Sequence, residues 1–304
     1  MAETLWFGSG ESPLAVRLEA MTAAMEMPRA DEGLVRRALD AQATYMPDVR
    51  ADTGPAGEGW TTVEAFFSDE AAIGEFLAFE QSLNEGTDLR TAGALLMTDY
   101  GYILAAAAVP LFVGFGLVPD LSPASVALSF YATEEPHDGK MHRTRRAHVR
   151  FLEETFWQGQ LDDAADGERF RDEIERHFHP VVEAIHARTR LSRTALWRLA
   201  ADAIAGRFLD AGHRFGTVEA AKATAMRILK VPRSPLANRQ LHYFDLTVLD
   251  GHQKDFSYTF RQRGGCCRFY LVEGGEYCST CVLKAPGERD DELRLAMRRH
   301  LGIA

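Results

Sequence analysis

The chain has 304 residues, 46% hydrophobic and 26% charged, with 34 Lys and Arg against 44 Asp and Glu, for a net charge of -10. This composition excludes disordered, collagen-like and coiled-coil chains and leaves enough apolar residues for a sizeable core. The acidic balance excludes a dedicated nucleic-acid binder, which needs a basic footprint.

Leu14, Leu18, Met21 and Met25 recur at helical spacing, and Asp31 is placed to cap a second helix through Leu34 and Leu39. Pro47 and residues 52–57 read as loop. Ser68-Asp69-Glu70 reads as an N-cap with an acidic first turn, opening a helix through Ile73, Phe76, Leu77 and Phe79. A further helix starts near Asp88 and enters the uncharged stretch 100–119, long enough to cross a bilayer. Four consecutive alanines, Pro110, and flanking Asp99 and Asp120 without a Lys/Arg bias instead predict a buried core helix that ends near Pro110 and gives way to loop. No transmembrane segment is expected.

Residues 125–133 form the clearest strand candidate, with Val126, Leu128 and Phe130 on one face. Beyond Gly139 the chain reads as helical: 141–157, then 169–188 broken at Pro180, then 192–211 capped by Ser192, then 217–229. The basic block from His137 to Arg150 reads as a solvated helix face paired with Glu153 and Glu154. Its functional reading is a pocket for an anionic chelate or contact with an anionic partner. A bundle di-iron site needs two Glu-x-x-His elements, and only Glu183 with His186 supplies one, so His177, His179 and His186 read as surface or core histidines. Pro232 and Pro235 end the helical part, 241–248 reads as extended, 256–285 as short strands and turns, and 290–301 as a terminal helix. The fold class is α+β, helix-dominated, with a small β component and a C-terminal cysteine-rich module. Three regions are expected: 1–135, 136–240 and 241–304.

The chain has four cysteines, all within 266–281. A secreted, disulfide-stapled protein spreads its cysteines through the chain, so this usage and the absence of a basic leader in Met1-Ala-Glu-Thr-Leu-Trp point to the cytoplasm. The pattern is Cys266-Cys267, ten residues, Cys278, two residues, Cys281. Adjacent cysteines have Cα atoms about 3.8 Å apart, too close for a relaxed disulfide. Zinc prefers two Cys-x2-Cys knuckles, and only Cys278 with Cys281 forms one. A [2Fe–2S] cluster asks for two thiolates per iron and accepts a vicinal pair more readily. The residues favour the cluster and leave zinc open. Arg261, Arg263 and Arg268 flank the vicinal pair, and Gly264, Gly265, Gly274 and Gly275 would let backbone N–H groups approach the sulfurs; both features would stabilise a reduced, more negative centre. Phe269, Tyr270 and Tyr277 would shield it from water. Gly8-Ser-Gly10 lacks the third glycine of a dinucleotide-binding turn, so direct NAD(P)H binding is not expected.

This C-terminal cysteine pattern resembles that of the siderophore-iron reductases, the FhuF-like ferric reductases. The resemblance is strongest over 255–285 and extends more faintly through the segment with Leu196 and Trp197. Val282, where a proline after the last cysteine is common, and the helix after Pro286 depart from the family pattern without touching a ligand. The resemblance implies that Cys266, Cys267, Cys278 and Cys281 ligate the irons of a [2Fe–2S] cluster. It also implies an oxidoreductase that passes one electron to Fe(III) in a siderophore and releases Fe(II) in the cytoplasm, with no catalytic residue beyond the cluster. Arg261, Arg263, Arg268 and Trp197 are the candidate surroundings of cluster or substrate. The partners expected are a ferric siderophore, such as one of hydroxamate type, and an external electron donor such as a ferredoxin or flavin reductase. Neither nucleic acid nor a membrane span is expected; peripheral membrane contact is left open. The competing readings are a structural-zinc scaffold and an iron–sulfur carrier or sensor without a small-molecule substrate.

Overall fold

The computed structural model describes residues 28–137, 140–153 and 155–303. The predicted helix through Leu14, Leu18, Met21 and Met25 lies outside them. In chain order the elements are α1 (Glu32–Tyr45), β1 (Ala51–Thr53), β2 (Thr61–Thr62), α2 (Val63–Ser68), α3 (Glu70–Leu83), α4 (Leu89–Phe115), β3 (Leu117–Pro119), β4 (Val126–His137) and β5 (Lys140–Phe151). They continue with β6 (Phe156–Gln158), α5 (Ala164–Thr189), α6 (Arg193–Phe215), α7 (Val218–Leu229), β7 (His242–Leu249), β8 (Asp255–Gln262) and α8 (Pro286–His300). The class is α+β with helix dominant.

The central element is α4. Asp88 caps it by accepting from the Thr91 N–H at 2.6 Å, and most of its length is buried. By length and composition α4 could cross a membrane, yet 83% of its most apolar stretch is buried inside the protein. It packs closely against α6: a Cβ on Gly101 would stand 3.0 Å from the Ala203 Cβ. The helix does not end at Pro110 as expected but runs to Phe115, where Gly116 adopts the left-handed cap conformation (φ 67°). A proline ring frees the carbonyl four residues earlier. Here that carbonyl is Ala106 O, and Gln42 Nε2 of α1 donates to it at 2.9 Å. Pro180 likewise fails to break α5, which runs through it to Thr189.

Residues 141–157 are not a helix. β5 pairs antiparallel with β4 in register Leu128↔Val149 and Phe130↔Ala147, within a sheet ordered β1-β5-β4-β2. Burial alternates with period two, Ala147, Val149 and Phe151 inward. From Lys140 onward the basic block therefore lies on a strand and not on a helix face, and three of its arginines have partners elsewhere in the chain. Arg150 forms a fork with Asp52 (2.7 Å to each oxygen), Arg146 pairs with Asp48 (3.4 Å), and Arg145 lies over the Phe76 and Phe79 rings. Boundaries also shift: α5 starts at Ala164 and α6 runs on to Phe215. Asp69, not Ser68, caps α3, because Ser68 closes α2. The terminal helix starts at Pro286, a residue suited to a first turn.

One hydrophobic cluster runs from Ala38 to Leu241, so the expected 135/136 division falls inside β4 and a continuous core. A second, small cluster of Leu246, Val248, Leu293 and Met297 joins the β7–β8 hairpin to α8. In the chain the cysteines lie between β8 and α8, and Cys267 packs against the main cluster.

Candidate metal centre

Cys266 and Cys267 follow the end of β8, while Cys278 and Cys281 lie in a turn held by the Cys281 N–H to Cys278 O bond at 2.9 Å. A backbone and a side-chain hydrogen bond tie the two segments together. The Arg263 N–H donates to Thr280 O at 3.2 Å, and Gln262 Nε2 donates to Cys281 O at 3.4 Å. Arg289 of α8 donates to Gln262 Oε1 and lies 3.9 Å from the Phe244 ring centroid, so the terminal helix braces the turn from behind. None of the four cysteines is in a disulfide. Cys281 is buried, Cys266 and Cys267 are half-buried, and Cys278 is exposed at the rim.

Asp202, on α6 and 2% exposed, docks this module onto the helical body. Its two oxygens accept from the Gly264 N–H at 2.8 Å and the Gly265 N–H at 2.9 Å. These glycines are required by proximity: a Cβ on Gly265 would stand 3.0 Å from the backbone of Arg198 and Leu199. The expectation that glycine amides approach the sulfurs is thereby corrected for Gly264, Gly265 and Gly275. Those of Gly264 and Gly265 go to Asp202, and that of Gly275 goes to Val272 O at 3.0 Å.

The three flanking arginines separate in the same way. Arg261 is half-buried against Gly206 and donates to the Asp202 carbonyl. Arg268, in the left-handed region (φ 62°), turns away to Thr91 Oγ1 (3.1 Å) and Asp88 Oδ2 (3.1 Å) at the start of α4. Arg263 alone of the three reaches sulfur: its Nη1 stands 3.5 Å from Cys278 Sγ and 3.9 Å from Cys267 Sγ, and its Nε lies 3.5 Å from Asp202 Oδ2. Burial opposes its charge, but Cys267, Cys278 and Asp202 together outweigh burial and hold its pKa above the usual range. Trp197 is 7% exposed and meets Phe178 edge-on in the main core; its neighbour Arg198 supplies the backbone facing Gly265. Tyr270 and Tyr277 stand 5.0 Å apart between centroids within the cysteine loop.

The histidines hold structural positions. His177 is fully buried, 2.5 Å from the Tyr100 hydroxyl and 2.7 Å from Leu121 O. Burial lowers its pKa to about 4. His186 meets Leu191 O and Arg193, whereas His179 is exposed. Arg143 and Arg145 line a cleft of about 330 Å³ with Phe66, Phe79 and Phe130, apart from the cysteine loops.

Sequence reasoning missed Asp202, Asp88 and Thr91. A signal existed for the first: Asp202 is the lone charge in a run of Leu, Ala and Ile, where a carboxylate is costly unless bonded.

The donor set suits a dinuclear cluster. Two segments supply two pairs of soft thiols, and a cation already touches one sulfur from each segment. Among the described residues, no three His, Cys, Asp or Glu side chains are gathered as a metal site, the four cysteines included. No curated protein matches the chain. Two family models do: one described as ferric iron reductase FhuF-like transporter over 95–243, and one described as FhuF 2Fe-2S C-terminal domain over 263–283. The first spans α4 to the start of β7, including Asp202, and the second takes in every cysteine. The chain carries a [2Fe–2S] cluster and belongs to the FhuF-like ferric iron reductases.

Proposed function

We propose that this protein reduces Fe(III) held in a siderophore, in the cytoplasm, with Cys266, Cys267, Cys278 and Cys281 as ligands to the cluster. The observation that carries this reading is the placement of the two cysteine segments: tied to each other, docked on a large helical body, and open to solvent at Cys278. When bound, the cluster supplies electrons one at a time. One electron suffices, since hard oxygen donors such as hydroxamates hold Fe(III) tightly and Fe(II) weakly. The protein side chains do the rest. Arg263 holds positive charge against the sulfurs, Asp202 fixes the loop, and the exposed rim at Cys278 is where an electron donor or the ferric chelate approaches. The electron donor is an external protein such as a ferredoxin or flavin reductase, a reading supported by the lack of a dinucleotide-binding glycine turn in the sequence.

Purified anaerobically, the protein is expected to hold two irons and two acid-labile sulfides per chain; one zinc without sulfide would remove the redox reading. The substrate is tested with the Ga(III) complex of a hydroxamate siderophore, which matches the Fe(III) complex in charge and size but accepts no electron. It is expected to compete while leaving a pre-reduced centre reduced. The Fe(III) complex is expected to reoxidise that centre with saturation and deliver iron to a ferrous chelator. Oxidation by free ferric salts without saturation or Ga(III) competition would mean that no siderophore site exists.

A further inference from the structure

We propose that Arg263, gripped by Asp202, is the residue that sets how readily this centre accepts an electron, an inference that rests on the four cysteines holding the cluster. Three basic residues stand within five positions of the vicinal pair, and sequence alone gives them equal claims. The structure separates them. Arg261 bonds to a helix carbonyl and Arg268 to Asp88 and Thr91, whereas Arg263 reaches one sulfur from each segment.

Reduction adds one electron and so one negative charge, without making or breaking a bond in the protein. A guanidinium donating to two ligand sulfurs stabilises the more negative state, and does so more strongly where water is scarce. Arg263 has 13% side-chain exposure and Asp202 3%, so both charges lie away from bulk water. The geometry needs the planar fork of arginine: Nε faces Asp202 while Nη1 faces the sulfurs. Lysine supplies a single point charge and cannot meet both. Asp202 is thus a positioning residue. As a bare negative charge it would oppose reduction; its oxygens are instead engaged by two glycine amides and the guanidinium, and its effect passes through Arg263.

The test is the midpoint potential of the cluster in the full chain, followed by its visible absorption in a redox titration. In Arg263→Leu, the ratio of reduced to oxidised centre at the wild-type midpoint is expected to fall at least tenfold, equivalent to about 59 mV for one electron. Arg268→Leu removes the same formal charge next to Cys267 but touches no sulfur, and is expected to change the ratio less than threefold. Arg263→Lys should fall between Arg263→Leu and wild type, and serves with Arg263→Gln should the leucine variant fail to retain its cluster. Asp202→Asn is expected to move the potential down, with Arg263→Leu. An upward move would show that Asp202 acts only as a nearby charge and would overturn its positioning role. Equal shifts in the Arg263 and Arg268 variants, or no shift in either, would overturn the proposal for Arg263. Absence of iron and sulfide from the wild-type chain would instead refute the assignment of the cysteines on which it rests.

Discussion

A buried carboxylate costs several kcal/mol unless its charge is met, and Asp202 meets that demand by binding the loop ahead of the cysteines. His177 solves the opposite problem. It stays neutral in the core, where Tyr100 and the Leu121 carbonyl satisfy its two nitrogens. Because its folded pKa is about 4 against 6.5 in a free chain, only the unfolded state takes up the proton between those values. Stability therefore falls as pH drops from about 6.5 towards about 4, and the contribution reaches about 3 kcal/mol at the acid end. Urea denaturation of wild type and His177→Gln is expected to show this loss in the wild type alone. The variant should be less stable at pH 7 and should converge on wild type near pH 4.

Among the elements, α4 connects the core to the site. Its N-cap, Asp88, bonds to the Thr91 N–H and also pairs with Arg268 beside the cysteines, while the Glu273 N–H of the cysteine loop donates to Glu85 O just before it. Helix capping and module docking thus share one carboxylate. Asp88→Ala is expected to cost about 1 kcal/mol from the cap alone, visible as a lower Tm. The same variant should lose its cluster to a chelator faster than wild type, since Arg268 loses a partner. Chelation kinetics unchanged from wild type would show that the Arg268 contact does not hold the loop. The β4–β5 hairpin shows how a helix reading fails: long polar residues such as Arg143, Arg145 and Arg146 suit either element, and the cross-strand partners that decide it lie up to 25 positions away.

At the scale of the whole molecule, the buried core from Ala38 to Leu241 contains no cysteine, and of the four cysteines only Cys267 packs against it. Cys278→Ser and Cys281→Ser are therefore each expected to lose or severely destabilise the cluster and abolish ferric reduction while retaining most of the far-UV circular dichroism of the helices. Global unfolding of either variant would show that the metal organises more than the C-terminal module. The acidic chain, its four clustered cysteines and the external-donor reading are compatible with one architecture: a helical body that positions a small redox module and keeps one rim of it open.

Several features were legible without coordinates because their causes are local. Asp31 and Ser192 cap helices through bonds that reach only three residues ahead, and the cysteine spacing carries its ligand chemistry wherever the chain places it. Pro110 and Pro180 marked helix ends only on the assumption that the freed carbonyls would lack partners. Gln42, 64 residues from Ala106, removes that assumption for Pro110. The roles of Arg261, Arg263 and Arg268 differ for the same reason. The sequence by itself determined that positive charge would stand near the thiols, as charge and spacing are properties of the chain. Only the tertiary structure decided which guanidinium touches sulfur, because that depends on Asp202 and Asp88, which arrive from helices roughly 60 and 180 positions away and outcompete the local contacts for Gly264, Gly265 and Arg268.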